Sequence, residues 1–517
     1  MQILLITLFI LPFFYKTFFW LYTIQLKDYR WDRFREYIFT PQGKRALFNF
    51  WFLIETPILL FTLLIYSNYN LEGVIFKMLF YLFILENIFV IGKIFRKKVF
   101  APTFTTRTNL ILITLLIIVG FIIYFSFFYP IFYFLILFTF VGTHFLILIS
   151  NIILLPIVDY KKKKIINKAI LKSKKYSKPI KIGITGSFGK SSVKEFLSFI
   201  LSKEANTLKT PKNINSELGV SNFIINNLNN NFKYFVAELG AYKVGEIKLL
   251  GKIVNHKYGF LTGIGNQHLG LFGNIENTIK GKSEIIKKVI KNNGILYINY
   301  DNKNIQKIIF PKNLKYIKYG IEGKNLDAKS QIIKLKNGKT VFDFTYKNIK
   351  TKFKTYLLGK HNIVNLTGVI AFCIDLGIKI ENLENYIKEL EPIRNTLKII
   401  EIDGNFIIDD SYNLSEDGLF AGIEVLSSFN GNKILVLDDI IELGKDSKKI
   451  HFEIGERIGN SGLVDKILYA GVNYEKDFLY GLSKSGFNFD NLITDLEDIK
   501  PGDVILLEGK GSKKFFN

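Results

Sequence analysis

The chain has 517 residues but only one cysteine, Cys373, and five histidines. One thiol excludes a disulfide framework and any zinc site built from cysteines. Acidic residues are also few, 45 against 69 Lys plus Arg, which leaves a net charge of +24. Those lysines run along the whole chain, often as Lys-Lys or Lys-Asn, so the excess reads as compositional bias and nucleic acid is not an expected partner. The N-terminus lacks a basic lead and a small-residue cleavage site, so no removable signal is expected. What is abundant is apolar and unevenly placed. Residues 1–157 are dominated by Phe, Ile, Leu and Tyr, whereas the remainder reads as a Lys-rich and Asn-rich soluble protein.

Five apolar runs reach the roughly 20 residues that a membrane helix needs: about Ile3 to Tyr22, Leu47 to Ile65, Val74 to Ile91, Leu110 to Phe128 and Ile131 to Leu155. Lys27, Arg30, Arg33, Arg35, Lys44 and Arg45 separate the first two runs, and Lys93, Arg96, Lys97, Lys98 and Arg107 separate the third and fourth. The other two loops carry no Lys or Arg. The positive-inside rule then puts the N-terminus outside and the bulk of the chain in the cytoplasm, an integral membrane protein in contact with the lipid bilayer. Lys16, Glu55, Lys77, Glu86 and His144 lie in or near these runs. They either snorkel and pair with one another or build a pocket for a lipid-linked or polar head group. Residues 158–179, with Lys161 to Lys164 and interleaved Ile165, Ile166, Ile170 and Leu171, read as an amphipathic helix on the inner leaflet or as a solvated basic linker.

From Ile180 strands alternate with helices, the pattern of an α/β domain with a parallel sheet. An apolar strand enters Thr185-Gly-Ser-Phe-Gly-Lys-Ser-Ser192, and a helical run follows from Val193 to Leu201. Backbone N–H groups in such a turn, with the helix N-terminus, cradle phosphate oxygens. Lys190 reaches the β- and γ-phosphates in this reading, and the Ser191 hydroxyl binds Mg2+. Ile184 stands where the strict phosphate-loop pattern has glycine, while Gly186 and Gly189 are kept.

The same segment resembles the phosphate loop of the Mur ligases, the ATP-dependent amide ligases of peptidoglycan synthesis, and above all their D-alanyl-D-alanine-adding branch. The resemblance continues through Thr210-Pro-Lys-Asn-Ile-Asn-Ser-Glu-Leu-Gly219, Phe235-Val-Ala-Glu-Leu-Gly-Ala241 and Leu261-Thr-Gly-Ile-Gly-Asn-Gln-His268 to Lys280-Gly-Lys-Ser-Glu-Ile285. Further on come Ile298-Asn-Tyr-Asp301, Gly359-Lys-His-Asn-Ile-Val-Asn365, Ile408-Asp-Asp-Ser-Tyr-Asn413 and Val436-Leu-Asp-Asp-Ile-Ile-Glu-Leu-Gly444 with His451. Gly502 to Leu507 resembles the last strand. Three of the five histidines, His268, His361 and His451, fall where the family pattern has histidine.

Apolar composition marks a membrane domain over 1–157, and a basic linker follows over 158–179. From there the resemblance implies a phosphate-loop central domain with a parallel sheet over 180–392, then a smaller Rossmann-like α/β domain over 393–517. It implies ATP and two Mg2+ sites, one at Ser191 and Glu238, the other at His268 and Lys282, a lysine that is carbamylated in many family members. Gly186, Ser187, Gly189, Lys190, Ser191 and Ser192 are the implied phosphate contacts. Arg394 is implied on the γ-phosphate, Asp410 at the ribose or phosphates, and Asn365 at the adenine. Lys190, Lys282, His268 and Arg394 form the implied catalytic set, acting by positioning and charge neutralisation as a carboxylate is phosphorylated and then attacked by an amine. A C-terminal domain carrying Arg394 and Asp410 completes the site only on closing. Residues Gln331 to Leu357, with an Asn337-Gly338 turn, read as a hairpin inserted in the central domain.

The chain departs from the family in three places. Membrane runs stand where the family has a UDP-binding domain, Leu414-Ser-Glu416 stands where the family usually has Ala-Asn-Pro, and the closing Lys-Gly-Ser-Arg is approximated by Lys510-Gly-Ser512. The expected partners are therefore a cell-wall peptide precursor and an amine donor, D-alanyl-D-alanine in the leading reading, with the carrier of the precursor left open. A membrane-anchored ligase that extends a glutamate polymer and a tethered nucleotide-binding scaffold are the rival readings. The sequence carries no signal for oligomeric state.

Overall fold

The computed structural model describes residues 2–515 apart from 66–71, 127–131, 213, 266–268, 337–338, 393–395, 403, 413, 442 and 497–498. It divides into two compact units, Met1–Lys162 and Lys163–Asn517.

Among its described residues the first unit has helices and no strand. Among the described residues, Gln2–Leu26, Gly73–Phe95, Thr106–Phe125 and Thr143–Lys175 are long and apolar enough to cross a membrane, and Pro41–Leu47 with Phe50–Leu64 makes a fifth span if that pair, bent by 44°, counts as one. The expected last run is not one helix. It is divided into Phe132–Val141 and Thr143–Lys175 around Gly142, where a Cβ would lie 2.8 Å from the Phe138 carbonyl oxygen. Leu5, Phe9, Phe13, Phe83, Leu115, Leu137 and Phe140 fill the middle of the bundle. Of the charged residues expected inside, Lys16 pairs with Glu55 and Glu86, Lys77 is exposed, and His144 is buried against Trp20 and Phe145.

In the second unit the basic segment is helix up to Lys175, and part of its apolar side packs against protein while Leu171 stays exposed. Ile166 and Ala169 are buried in a core of the α/β unit, with Ile170 packed beside them. The Ser173 hydroxyl donates to the Val254 carbonyl at 2.8 Å, and Lys181 donates to Ser173 O. The segment is the expected helix, but Ile166 and Ala169 meet a protein core where lipid or solvent was expected, because branched and small side chains recur at helical spacing and find an apolar partner.

Nine strands form the main sheet: β1 Ile180–Thr185, β2 Thr207–Lys209, β3 Tyr234–Glu238, β4 Tyr258–Leu261, β5 Ile295–Asn299, β6 Lys315–Gly320, β7 Ala328–Lys336, β8 Lys339–Tyr346 and β9 Ile349–Thr355. Their order is β2-β3-β1-β4-β5-β6-β7-β8-β9. Pairing is parallel from β2 to β7 and antiparallel from β7 to β9, so the sheet is mixed rather than parallel throughout. The expected hairpin is thus the sheet's own antiparallel edge, and it begins at Ala328. Its Asn337-Gly338 turn lies outside the described residues. β1 and β3 are covered on both faces, which is why they read as apolar runs without alternation. Each fully buried Ile or Leu here stabilises the fold by roughly 1.5–3 kcal/mol.

A second sheet follows, β10 Lys398–Ile402, β11 Asn405–Asp410, β12 Lys433–Leu437, β13 Lys466–Tyr469 and β14 Val504–Glu508, in the order β10-β11-β14-β12-β13. Only β10 is antiparallel to its neighbour. The loops after β1 and β5 line one cleft, and the loop after β11 meets them there.

Candidate active site

The loop after β1 is built around two glycines. Gly189 has φ 77° and caps the helix Lys190–Glu204, and a Cβ on it would lie 2.9 Å from Asn365 Oδ1. A Cβ on Gly186 would lie 2.2 Å from Thr262 Oγ1. Bare backbone is therefore required at both places. The Ser187 N–H donates to Gly263 O at 2.6 Å, Gly265 N–H donates to Ser187 Oγ at 3.1 Å, and Thr262 Oγ1 donates to Phe188 O. The segment following β4 thus fixes the loop's shape.

Lys190 bends back over this loop, its amine donating to Gly186 O at 2.8 Å and Ser187 O at 2.7 Å. Burial lowers its pKa, opposed by the charge of Glu238. Ser191 Oγ donates to Glu238 Oε2 at 2.9 Å, and Asn215 Nδ2 donates to Glu238 Oε1 at 3.0 Å. Lys194, one turn beyond Lys190, has its amine 3.4 Å from Glu238 Oε2 and is 1% exposed. Burial by itself pushes the Glu238 carboxyl up, but Lys190, Lys194, Asn215 and Ser191 together hold it below its usual value.

Lys282 comes from the helix Ile275–Ser283 and donates to Ala241 O, just past the end of β3, at 3.0 Å. It is 1% exposed, and burial followed by repulsion from Lys190 drives its pKa well down, against attraction from Glu246 and Glu238. The amine is thereby biased toward its neutral, nucleophilic form.

A cleft of about 540 Å³ joins these groups to the second sheet. Ser187, Gly189, Lys190, Ser191, Ser192 and Asn365 line one side, and Asp410, Tyr412, Asp417 and Arg457 the other. Asp410 at the end of β11 is pushed up to about 7 by burial and by Asp409, against a backbone hydrogen bond. Asp301 also lines the cleft and accepts from the N–H groups of Ile321, Glu322 and Gly323 at 2.7, 3.0 and 2.6 Å. His361 is half-buried on the same wall and pushed down to about 4 by desolvation. The Arg457 guanidinium stacks 3.5 Å from the Phe420 ring centroid, with Glu416 at 3.6 Å.

Of the residues expected from sequence, Gly186, Ser187, Gly189, Lys190, Ser191, Ser192, Glu238, Asn365 and Asp410 share the cleft or touch the loop, and Lys282 stands beside Glu238's strand. His268 and Arg394 lie outside the described residues, as do Asn213, Asn413 and Glu442. His451 is not at the cleft. Its Nε2 accepts from Ile440 N–H at 3.1 Å and its Nδ1 meets Ser447 O at 2.7 Å, so it shapes the loop after β12. Lys194, Tyr412, Asp417 and Arg457 were not foreseen. Lys194 gave a signal in its four-residue spacing from Lys190 on one helix face, and Tyr412 in its place within Ile408-Asp-Asp-Ser-Tyr-Asn413.

The residues fit a bound triphosphate and divalent cation. Lys190's amine is spent on loop carbonyls that phosphate oxygens can replace, and a hydroxyl and an ionised carboxylate meet beside it. Among the described residues no cluster of three or more His, Cys, Asp or Glu could hold a metal, so phosphate and water oxygens have to complete such a site.

Comparison with known proteins follows the same lines. Residues 184–373 match the Mur ligase middle domain. Over 321 residues the chain is 31% identical to the UDP-N-acetylmuramoyl-tripeptide--D-alanyl-D-alanine ligase of Buchnera aphidicola subsp. Baizongia pistaciae, covering 61% of this chain and 69% of that one. Over 359 residues it is 31% identical to the ligase of the same name from Rickettsia prowazekii, covering 68% and 79%. Among solved structures, MurF from Acinetobacter baumannii aligns with TM-score 0.62 at 25% identity, covering 68% of this chain and 78% of that one. MurF ligase from Thermotoga maritima in complex with ADP aligns with TM-score 0.60 at 26% identity, covering 68% and 81%.

Proposed function

The chain belongs to the Mur ligase family, and from that premise we propose that it is an ATP-dependent, ADP-forming amide ligase of peptidoglycan precursor synthesis. It joins D-alanyl-D-alanine to the peptide carboxylate of a UDP-N-acetylmuramoyl-tripeptide, the reaction in the names of the relatives it resembles. The observation that carries the reading is the convergence of Lys190, Ser191 and Glu238 at the ends of β1 and β3, with Lys282 hydrogen-bonded at Ala241.

The loop backbone binds phosphate oxygens, and Lys190 leaves Gly186 O and Ser187 O to neutralise the transferred phosphoryl group. Ser191 and Glu238 would hold one Mg2+, and Lys282, as a carbamate, would hold a second together with His268. When bound, these ions supply charge neutralisation on the oxygens of the phosphoryl group and the acceptor carboxylate. Lys282's lowered pKa favours the carbamate, since only the neutral amine adds carbon dioxide. Asp410, protonated below about pH 7, spares the nucleotide a second negative neighbour. Asn365 serves the adenine, and Arg394 the γ-phosphate. Walls from both sheets exclude water while the acyl phosphate waits for the dipeptide amine.

The apolar helices of the first unit support an integral membrane protein whose ligase part faces the cytoplasm, because the loops flanking those helices on one side carry the arginines and lysines.

The test is ADP release by the full chain in detergent with UDP-N-acetylmuramoyl-tripeptide and D-alanyl-D-alanine. Release should require both, with the dipeptide-extended product visible by mass spectrometry. Release that ignores both substrates overturns the ligase reading.

A further inference from the structure

Charged side chains of alternating sign run outward from the phosphate loop. The Lys194 amine lies 3.4 Å from Glu238 Oε2 and 3.3 Å from Glu195 Oε1. Glu195 Oε2 in turn accepts from Lys209 on β2. Lys194 is 1% exposed, whereas Glu195 and Lys209 reach the surface.

The two oxygens of Glu238 have different surroundings. Oε1 accepts from Asn215 Nδ2, an uncharged donor. Oε2 accepts from the Ser191 hydroxyl and also faces the Lys194 ammonium. The oxygen nearest the hydroxyl that would share a cation with it therefore has a cation beside it already. An ammonium so placed repels an arriving divalent ion and competes for the same lone pairs. A buried ammonium with no second partner could not give up Glu238, because an unpaired buried charge is costly. Glu195 removes that obstacle. Its Oε1 is as near to the amine as Glu238 is, so Lys194 stays paired when Glu238 turns to a metal.

We propose that Lys194 is a positioning residue, a placeholder cation that holds Glu238 ready in the metal-free site and withdraws to Glu195 when Mg2+ binds at Ser191 and Glu238. The proposal rests on the ligase reading, which supplies that Mg2+. It follows that Lys194 and Glu195 act on metal affinity in opposite senses. Lys194 weakens it by competition, and Glu195 strengthens it by drawing the competitor away. A lysine that only filled core space, or that gripped the nucleotide itself, would show no such opposition.

The full chain in detergent is titrated with Mg2+ at a fixed concentration of N-methylanthraniloyl-ADP, whose fluorescence reads nucleotide binding without turnover. Lys194→Met keeps the length of the side chain and removes its charge. It should lower the Mg2+ concentration for half-maximal binding by at least about threefold, a small part of what a like charge at this range exerts. Glu195→Gln keeps the shape and removes the retreat, and it should raise that concentration by at least about threefold. The double variant should match Lys194→Met, since Glu195 acts only through Lys194. Single variants that shift in the same direction overturn the proposal, and so does a double variant close to the unaltered protein. Should Lys194→Met fail to fold, Glu195→Gln decides by itself, and an unchanged or lowered Mg2+ requirement sinks the idea. Nucleotide binding by the unaltered protein that ignores Mg2+ removes the metal site of the ligase reading and this proposal with it. The two failures are thus told apart before any variant is made.

Discussion

Glu238 stays ionised in a buried place only because its neighbours outweigh the cost of burial: two lysine charges, and hydrogen bonds from Asn215 and Ser191. Asn215 touches Oε1, the oxygen that Ser191 does not use. Removing it frees the carboxylate to rotate and weakens its hold on Mg2+. Asn215→Ala should therefore raise the Mg2+ concentration for half-maximal ADP release by about tenfold, the usual scale for a group that orients a metal ligand. An unchanged Mg2+ dependence would detach Asn215 from that role. Lys282 poses a sharper case. A buried, largely neutral amine is suited to carbamate formation, whereas a plain ammonium at that place would repel the same cation. Lys282→Ala should lower kcat by about a hundredfold or more with no recovery in bicarbonate, the loss expected when a preorganised charge leaves the transition state. Activity near that of the unaltered protein takes Lys282 out of the mechanism.

At the scale of elements, the parallel strands β11 and β14 end on Asp410 and Glu508 in register, two buried carboxyls side by side. Burial pushes Glu508 well above its ordinary value and Asp410 up to about 7, each raised further by a neighbouring acid. In the unfolded chain both lose their protons near about pH 4. Between there and neutral pH the folded form binds more protons, so its stability is complete at low pH and falls as pH rises through about 7. Glu508→Gln removes the charge and keeps the shape. It should stabilise the protein by roughly 2 kcal/mol at about pH 8 and flatten the decline, as read from denaturant midpoints across pH. A steeper decline than in the unaltered protein would contradict this pairing.

The strand, loop and helix from Ile182 to Leu201 were legible in the sequence because apolar run, glycine turn and helical spacing follow one another without a break. The antiparallel edge from Ala328 to Thr355 was legible as strand but not as part of the main sheet, since pairing partners leave no local mark. Ile166 and Ile170 misled for a related reason. An apolar stripe beside lysines has the same appearance whether it meets lipid or a protein core, and only the tertiary fold separates the two. Arg457 reaches the cleft from a helix far along the chain with no motif around it, so nothing in its neighbours announced it.

At the scale of the whole molecule, the scarcity of cysteine becomes an instrument. Cys373 is fully buried in the helix Lys360–Asp375, and burial pushes its thiol well above the range in which thiolates form. The unaltered protein should therefore stay silent to a membrane-impermeant maleimide. Lys97 is exposed in the basic stretch that follows the helix Glu72–Phe95, and it belongs to the loops that the charge pattern assigns to the cytoplasm. A thiol introduced by Lys97→Cys should remain unlabelled in intact cells and react once the membrane is permeabilised. Labelling in intact cells would invert the orientation and carry the ligase cleft to the outside, away from ATP. Labelling that does not depend on permeabilisation in either direction would mean that the first unit does not span a bilayer, and the apolar helices would then need another partner to cover them.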